Sequence, residues 1–479
     1  MKKVKVLSVV LCVCLAASLF VSCGDKETAN SGGDTTIRIL ASPSNLPDCA
    51  LVSEELSKIT QEKFGFDVEF KFGYDAQKLT LALASNEAID IGYDGGLEYV
   101  DRVRQSAYVD ITDMVKEKTP ALYKALPEDL WVGTQIDGRN YAVPTYKEMA
   151  EWWVAYVDKK IVDESGVDVN AIKEIKDLEP ILKTLKKHPE RAGLEVLTKS
   201  LNHLTTVIRN KYDVITGYFV VERENPDKVL HFMETEEYKE FVYLMRDWYK
   251  KGYIVQDVAT KTDFYKEQRL SGNMGVKFVW DYPTGAIGSA EYYNVEEIVP
   301  ISLSPAIKSN DSMFGNLHGI YKKSKNVDAA LKFLELWNTD AAVKNMITYG
   351  IEGKHYDVVD GRIRRKDGAL DLYRYDNAIS GNMMISTLLE SEPADKWEQF
   401  KAFNEGAVIS KTLGFFVDTK NVSGQLGACD NAVAEYSPLL CCGVLDPDKY
   451  LDKMLTALEK SGVNEIKADF QRQYDAWRK

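Results

Sequence analysis

The sequence contains few of the motifs that build metal sites or nucleophilic catalytic sites. Its five histidines have neither HxH nor HExxH spacing, and there is no CxxC pair. GxSxG and GxGxxG are also absent. Near Gly350 a Gly-Lys pair occurs, but Thr348 and His355 replace the glycine and the Ser/Thr that a phosphate-binding loop requires. We therefore expect no metal and no cofactor.

The chain also lacks an excess of positive charge. Its formal net charge is −13, with 73 acidic and 60 basic residues among 479. A basic patch that would attract nucleic acid or an anionic membrane surface is therefore not expected.

Cysteine is too scarce for a disulfide framework in a chain of this length. Cys12 and Cys14 lie in an apolar N-terminal run, and Cys23 directly follows that run. The sequence leaves open whether the remaining cysteines form one bridge, from Cys429 to Cys441 or Cys442, or are buried free thiols. These remaining cysteines are Cys49, Cys429, Cys441 and Cys442.

The N-terminus has the layout of a secretory signal. Three lysines precede the apolar run Val6–Val21, which is slightly short for a membrane span. Cys23, between Ser22 and Gly24, resembles the lipidated cysteine of a bacterial lipobox. We therefore predict a signal peptide at 1–22, and a lipidated Cys23 with a flexible tether at 23–36. A transmembrane anchor is the alternative.

Beyond the tether, strand and helix patterns alternate. TIRIL, DVEFKF and AIDIGY read as strands separated by helical segments, which predicts an α/β fold with a parallel sheet. A second set of α/β elements follows, so two or three lobes are expected. Residues 396–479 are predicted to be mostly helical, with Pro447 and Gly462 interrupting the helices.

Aromatic residues adjoin acidic residues or one another where several strands should end. Sugars stack their C–H faces on flat rings, and carboxylates accept hydrogen bonds from hydroxyl groups. On a strand, Trp152 and Trp153 would face opposite ways, so at least one is expected in the core. The core is favoured for Trp248, Trp337, Trp397 and Trp477, and is as plausible as a pocket for Trp280. The clusters are Tyr93-Asp94, Trp152-Trp153, Trp280-Asp281-Tyr282 and Phe415-Phe416.

Several longer stretches resemble one protein family. Phe314–Asp340 followed by Tyr349–Val359 looks like the solute-binding lipoproteins of bacterial carbohydrate ABC importers. Ile136–Tyr156 and the tail Asn421–Pro447 resemble the subgroup that carries a C-terminal region of formerly unknown function. The resemblance covers most of the chain after the signal.

The resemblance implies an α/β, two-lobe periplasmic-binding-protein-like fold of type II. Its lobes are discontinuous around a cleft, and a helical C-terminal region follows. The N-terminal lobe would comprise residues 37–148 plus 313–350. The C-terminal lobe would comprise residues 149–312 plus 351–479, including the helical region.

The resemblance also implies ligand-binding residues. Trp280 would stack on sugar rings, Asp94 would accept hydrogen bonds and Phe415 would be a late aromatic contact. Asn316 and His318, where the chain returns to the first lobe, join the candidates. The full set is Tyr93, Asp94, Trp152, Trp153, Trp280, Asp281, Tyr282, Asn316, His318 and Phe415.

The function implied is capture of a carbohydrate, an oligosaccharide in particular, for an ABC transporter permease. The expected protein is a monomer without enzymatic activity, held outside the cell membrane by its lipid alone, at the cell surface or in the periplasm. The alternatives are a secreted glycoside hydrolase and a surface lipoprotein without a transport role. The sequence leaves the sugar open, including an acidic sugar such as a uronate, and also leaves open a peptide.

Overall fold

A computed structural model of the chain describes residues 35–85, 87–261 and 271–479. The predicted signal peptide, Cys23 and nearly all of the predicted tether lie outside these residues. No helix within the described ranges combines the length and the apolarity needed to cross a membrane.

The strands are short and are distributed along the whole described chain. In chain order they are β1 (Thr36–Ala41), β2 (Asp67–Phe72), β3 (Ile91–Asp94), β4 (Ala142–Pro144), β5 (Trp152–Asp158), β6 (Leu194–Glu195), β7 (Tyr212–Thr216), β8 (Phe219–Glu222), β9 (Leu230–His231), β10 (Val276–Asp281), β11 (Ile298–Ser302), β12 (Ile307–Lys308), β13 (Leu317–Ile320), β14 (Tyr356–Val359), β15 (Arg362–Arg365) and β16 (Val408–Ile409).

The α-helices occur along the whole described chain and dominate residues 396–479, as the sequence predicts. In chain order they are α1 (Cys49–Phe64), α2 (Ala76–Ala84), α3 (Gly96–Arg104), α4 (Met114–Lys118), α5 (Pro120–Ala125), α6 (Glu128–Gly133), α7 (Lys159–Ser165), α8 (Glu179–Leu185), α9 (Asn202–Lys211), α10 (Glu236–Lys250), α11 (Gly285–Tyr293), α12 (Asn310–Met313), α13 (Val327–Thr339), α14 (Ala341–Tyr349), α15 (Ala369–Leu372), α16 (Lys396–Gly406), α17 (Ser423–Cys441), α18 (Pro447–Lys460) and α19 (Val463–Trp477).

Local sequence signals explain where the C-terminal helices begin and end. The Asp446 side chain accepts a hydrogen bond from the Asp448 backbone, and Pro447 occupies the first turn of α18, where it needs no hydrogen-bond partner. Gly462 has φ +91°, a conformation that glycine adopts without steric cost, and it separates α18 from α19. Both predicted interruptions are therefore confirmed.

The first sheet has the strand order β2-β1-β3-β13-β4. β1 runs parallel to β2 and β3, as the strand–helix alternation predicts. β13, from much later in the chain, enters antiparallel between β3 and β4. The late return therefore places Asn316 and His318 beside the end of β3.

The second sheet has the order β11-β5-β10-β6. β5 lies between β10 and β11 and is antiparallel to both. Side chains on one face of this sheet belong to a large core that also includes α9, α10 and the C-terminal helices. The sheets are thus the centres of two α/β lobes.

The chain passes between the two lobes three times. The first crossing joins β4 to β5, and the second joins β11 to β13. The third, which the predicted lobe boundaries placed near residue 350, comes later in the chain: Tyr373 and Tyr375 lie in the core of the first sheet, whereas Phe415 lies in the core of the second. Residues near 375 therefore pack on the first lobe, although the sequence assigned all of 351–479 to the second.

Aromatic packing accounts for this difference. The ring of Tyr373 lies 6.2 Å from that of Phe72, and the ring of Tyr375 lies 6.1 Å from that of Phe70, both edge-on. Such edge-to-face contacts stabilise the segment against β2. The sequence shows an alternating aromatic pair here, but not which sheet it covers.

The predicted core tryptophans divide into two groups. Trp248 and Trp337 are fully buried, which confirms the prediction for them. Trp397 is half-buried, and Trp477 near the C-terminus is 44% exposed, so the prediction for Trp477 is wrong. Helix α19 ends at Trp477.

The four cysteines in the described residues are free and buried. Of the two states left open by the sequence, the structure therefore has the free thiols. Burial raises the pKa of Cys429 to about 11 and that of Cys441 to about 12. Since the thiolate is the reactive form, these groups are inert at neutral pH.

Candidate functional site

Two tryptophans stand opposite each other at the ends of β5 and β10. In this antiparallel pair Trp153 is paired with Trp280, and Trp152 is paired with Asp281. Directly opposite residues point to the same face of a sheet, so Trp153 and Trp280 share one face and Trp152 points to the other. The prediction that the adjacent tryptophans diverge is confirmed, but both side chains are half-buried, so the expectation that at least one lies in the core is not.

Trp280 is 37% exposed, a large area for a tryptophan. The indole N–H of Trp153 donates to Glu151 Oε2 at 2.9 Å, which fixes one edge of its ring. The indole N–H of Trp152 donates to Ser302 Oγ at 2.9 Å on the opposite face. Trp153 and Trp280 together therefore offer an aromatic surface beyond the core.

Asp281 and Tyr282 follow Trp280 but have different environments. Asp281 is 1% exposed and accepts a hydrogen bond from the Tyr156 hydroxyl at 2.6 Å. Burial raises the pKa of Asp281 to about 6. Tyr282 is 42% exposed, with its ring 6.0 Å from that of Phe400. Asp281 is thus a support below the surface, and Tyr282 is part of the surface.

On the first lobe, Tyr93 and Asn316 form a polar pair. The Tyr93 hydroxyl donates to Asn316 Oδ1, and both side chains are half-buried. β3 and β13 bring them together because Tyr93 is paired with His318 in the register of these strands. Burial, followed by the charges of Asp376 and Asp94, raises the pKa of Tyr93 to about 12.

The carboxylate of Asp94 is occupied inside the first lobe. It pairs with Arg102 and accepts hydrogen bonds from the Tyr108 hydroxyl at 2.6 Å and the Gly95 backbone at 2.9 Å. The side chain is 6% exposed. These contacts fix the start of α3 and leave the carboxylate without an exposed edge for a sugar hydroxyl. The sequence did not reveal Arg102, eight residues later, as its partner.

His318 and Phe415, two other predicted contacts, are also buried. The ring of His318 lies 4.6 Å from that of Trp337, behind Tyr93, and burial lowers its pKa to about 3. Phe415 is 3% exposed, with its ring 5.2 Å from Tyr474 and 5.3 Å from Trp477. A ring without an exposed face cannot stack on a sugar, so Phe415 and His318 contribute to the cores in this structure.

One acidic residue that the sequence analysis missed lies near both lobes. Asp376 is exposed and follows the buried Tyr375. Its charge contributes, after burial, to the raised pKa of Tyr93 on the first lobe and, after burial and the charges of Glu148 and Asp281, to the raised pKa of Tyr282 on the second. Asp376 is therefore within electrostatic reach of both surfaces. The adjacent Tyr-Asp pair, the same pattern as Tyr93-Asp94, could have identified it.

The arrangement has the chemistry of a carbohydrate site. Exposed rings on the second lobe can cover the apolar faces of a sugar, while Tyr93, Asn316 and Asp376 can exchange hydrogen bonds with its hydroxyls. Among the described residues, no group of three or more His, Cys, Asp or Glu side chains could hold a metal ion.

Comparisons with known proteins agree with this fold. A family model described as a domain of unknown function, DUF3502, matches residues 411–479. A carbohydrate ABC transporter substrate-binding protein from Streptococcus pneumoniae serotype 4 (strain ATCC BAA-334 / TIGR4) is 27% identical over 492 residues. The alignment covers 98% of this chain and 96% of that protein. These matches confirm the resemblance seen in the sequence, including its C-terminal region.

Two solved structures of one protein extend the comparison. The crystal structure of the N-glycan transport solute binding protein NgtS from S. pneumoniae is similar, with a TM-score of 0.81 at 24% identity, covering 92% of this chain and 99% of that one. For NgtS in complex with Man5GlcNAc the TM-score is 0.66 at 24% identity, covering 93% and 98%. The chain therefore has the fold of the two-lobe solute-binding proteins, as predicted.

Proposed function

We propose that this protein is an extracytoplasmic substrate-binding protein that captures a carbohydrate between its lobes for an ABC transporter. The observation that carries the proposal is the pair of surfaces near Asp376. Trp280 and Tyr282 present exposed rings on the second lobe, and Tyr93 with Asn316 presents polar groups on the first. The full-length similarity to a carbohydrate ABC transporter substrate-binding protein supports the same function.

Binding would close the lobes over the sugar. Three crossings connect the lobes, so a change in their backbone angles can rotate one lobe relative to the other. A ligand that contacts both lobes would favour the closed form, because it gains contacts only there.

The ligand we propose is an oligosaccharide. The NgtS complex contains Man5GlcNAc, and the present site has two aromatic parts, the Trp153–Trp280 pair and Tyr282, which can cover different sugar units. We retain Tyr93, Trp152, Trp153, Trp280, Tyr282 and Asn316 as binding residues and add Asp376. Asp281 and His318 would act from below the surface.

The lipid anchor at Cys23, the permease subunits as partners and the monomeric state complete the proposal. The signal at 1–22 would export the chain, and a lipid on Cys23 would keep it near the permease. For the lobes we propose the predicted boundaries with one change, in which the segment around Tyr373 and Tyr375 belongs to the first lobe.

The buried state of Asp281 gives no support to a hydrolase. A glycoside hydrolase needs two carboxyl groups that flank the scissile bond, one of them with a raised pKa. Asp281 has a raised pKa, but it is 1% exposed and bound to Tyr156. We propose that the protein binds the sugar without cleaving it.

Isothermal calorimetry on the chain without residues 1–23 tests the proposal. The panel should contain a Man5GlcNAc-type glycan, a maltooligosaccharide, a uronate oligosaccharide and an unrelated peptide. We expect saturable binding of at least one carbohydrate. Binding of the peptide alone, or of nothing in a broad glycan panel, would refute the proposal and leave a surface lipoprotein without a transport role.

A second measurement separates binding from hydrolysis. The ligand found by calorimetry is incubated with the protein, and its length is followed by mass spectrometry. An intact ligand after many hours is expected. Cleavage that disappears in Asp376→Asn or Asp281→Asn would identify a glycoside hydrolase instead.

A further inference from the structure

Glu151 lies in the first crossing, between β4 of the first sheet and β5 of the second. Its backbone N–H donates to the Ile307 carbonyl at 2.9 Å, and the Ile307 N–H donates back to Glu151 at 2.8 Å. Ile307 belongs to the second crossing. The first two crossings are thus joined side by side at Glu151.

The Glu151 side chain is buried, and both of its oxygens have partners. Oε1 accepts from the Ser309 hydroxyl and pairs with Arg209 Nη2 at 3.0 Å. Oε2 accepts from the Trp153 indole N–H at 2.9 Å. One carboxylate therefore connects both crossings, the core of the second lobe and an aromatic residue of the proposed site.

Arg209 comes from α9, which packs against β5 and β10. It is 3% exposed, and its Nη2 also pairs with Asp311 at 2.7 Å. Its Nε and Nη1 have no hydrogen-bond partner in the described part of the chain. A buried guanidinium with so few partners depends strongly on the remaining ones, so loss of Glu151 would force the local structure to change.

We infer that Glu151, held by Arg209, is a positioning residue that sets the orientation of the Trp153 ring for sugar binding and couples it to the interlobe crossings. This inference rests on the proposed function. Trp153 is paired with Trp280 across β5 and β10, so a rotated Trp153 ring would disturb the aromatic surface at its centre. Glu151 itself is buried and does not contact the ligand.

Glu151→Gln in the full-length protein tests the inference, since it keeps the size of the side chain and removes its charge. Affinity for the carbohydrate bound by the parent should fall at least about tenfold. Trp153→Phe removes the group that Glu151 positions. The double variant should therefore lose no more affinity than the weaker-binding single variant. Its fold loss should not equal the product of the two single fold losses. Additive losses, or an unchanged affinity, would overturn the inference.

Asp158→Asn is the matched control. Asp158 lies at the opposite end of the same strand and pairs with Arg191 at 2.8 Å, with both side chains largely buried. Its loss should lower thermal stability as Glu151→Gln does, but leave affinity within about twofold. Equal losses of affinity in the two variants would mean that any broken ion pair in β5 weakens binding, and would overturn the inference.

Tryptophan fluorescence without a ligand tests the inference in two further cases: when no sugar binds, and when Glu151→Gln does not fold. The chain has eight tryptophans, so the emission of Trp153 is obtained as the difference between the parent and Trp153→Phe. In the Glu151→Gln background, this emission of Trp153 should shift to longer wavelength. An unchanged emission of Trp153 would overturn the inference, whether or not a sugar binds. If Glu151→Gln does not fold, Arg209→Lys, which keeps the charge but loses the guanidinium geometry, should produce the same shift.

Failure of the two hypotheses is distinguishable. A parent protein that binds no carbohydrate refutes the proposed function, while the emission measurement still decides the role of Glu151. A parent that binds together with an unaffected Glu151→Gln refutes only the inference.

Discussion

Trp153 and Trp280 are directly paired across β5 and β10, and their side chains share one face of the second sheet. Trp280, at 37% exposed, provides the outer part of this surface, while Trp153 is fixed at its N–H edge by Glu151. Because cross-strand neighbours lie about 5 Å apart, the two rings can act as one platform. The candidate site is therefore organised around a single strand pair.

The first prediction concerns Trp280. Trp280→Ala should weaken sugar affinity about tenfold or more, because a stacked ring contributes roughly 1 kcal/mol beyond its buried area. The melting temperature should change little, since much of the ring is exposed. Trp477→Ala, at a tryptophan 44% exposed on α19, is the control and should leave affinity unchanged. Calorimetry and thermal melting check both variants; equal affinities would remove Trp280 from the site.

The second prediction concerns the Tyr93–Asn316 hydrogen bond. Tyr93→Phe removes the donor, leaves Asn316 Oδ1 without it, and should weaken affinity roughly fivefold to tenfold. Asn316→Ala should have a similar effect, and the double variant should lose less than the product of the single losses. Tyr74→Phe, which removes a 3.1 Å hydrogen bond to Glu87 elsewhere on the first lobe, should bind normally. Strict additivity would show that the two side chains act independently.

The third prediction concerns Asp281 and pH. Its pKa of about 6 in the folded protein exceeds its ordinary value of 3.8, so the folded state holds an additional proton between about pH 4 and pH 6. The contribution of Asp281 to the free energy of unfolding is therefore present at acid pH and is lost as pH rises through 6. Asp281→Asn should make the melting temperature fall less between pH 4 and pH 7.

The control for Asp281 is Asp163→Asn, an exposed carboxylate paired with Lys159. It should reproduce the pH profile of the parent. A profile of Asp281→Asn that runs parallel to the parent's would contradict a raised pKa at this position.

The fourth prediction concerns His231, whose pKa is lowered to about 4 by burial and by the charge of Lys467. In the unfolded chain, His231 binds a proton near pH 6.5. Its contribution to the free energy of unfolding is therefore complete above pH 6.5 and is lost as pH falls toward 4. His231→Phe should make the protein less sensitive to acid, since the site already contacts the Phe219 ring edge-on at 4.9 Å.

His188→Gln serves as its control, because His188 is half-exposed and hydrogen-bonds Glu164 at 2.7 Å. Urea unfolding midpoints at pH 4.5 and pH 7 measure the effect. A His231→Phe variant that loses as much stability at pH 4.5 as the parent would exclude His231 as a source of acid lability.

Much of the fold was predictable because its signals are local. TIRIL and DVEFKF alternate as strands do, and these segments form β1 and β2 in parallel. Pro447 and Gly462 act through their own backbone preferences, so the limits of α18 followed from the sequence. The position of the third crossing did not follow from the sequence, because it depends on which sheet Tyr373 and Tyr375 cover, a contact between distant segments.

The site was less predictable for the same reason. Aromatic residues beside acids marked the strand ends correctly at Trp280 and Tyr93, but the same pattern at Asp94 described an interior ion pair with Arg102. Phe415 is an aromatic residue of the kind that stacks on sugars, but its ring packs against Tyr474 and Trp477 in the core. Asp376 lies in a loop far from either sheet in sequence and was overlooked.

By itself, the sequence determined the α/β class, the limits of many elements and the divergence of Trp152 from Trp153. Each of these depends on residue preferences or on the two-residue repeat of a strand, which act over a few positions. Only the tertiary structure decided which carboxylates are exposed. Asp94, Glu151 and Asp281 are held by Arg102, Arg209 and Tyr156, whereas Asp376 is exposed. Burial and pairing depend on segments that meet only after folding, and they determine whether an acid stabilises the protein or can contact a ligand.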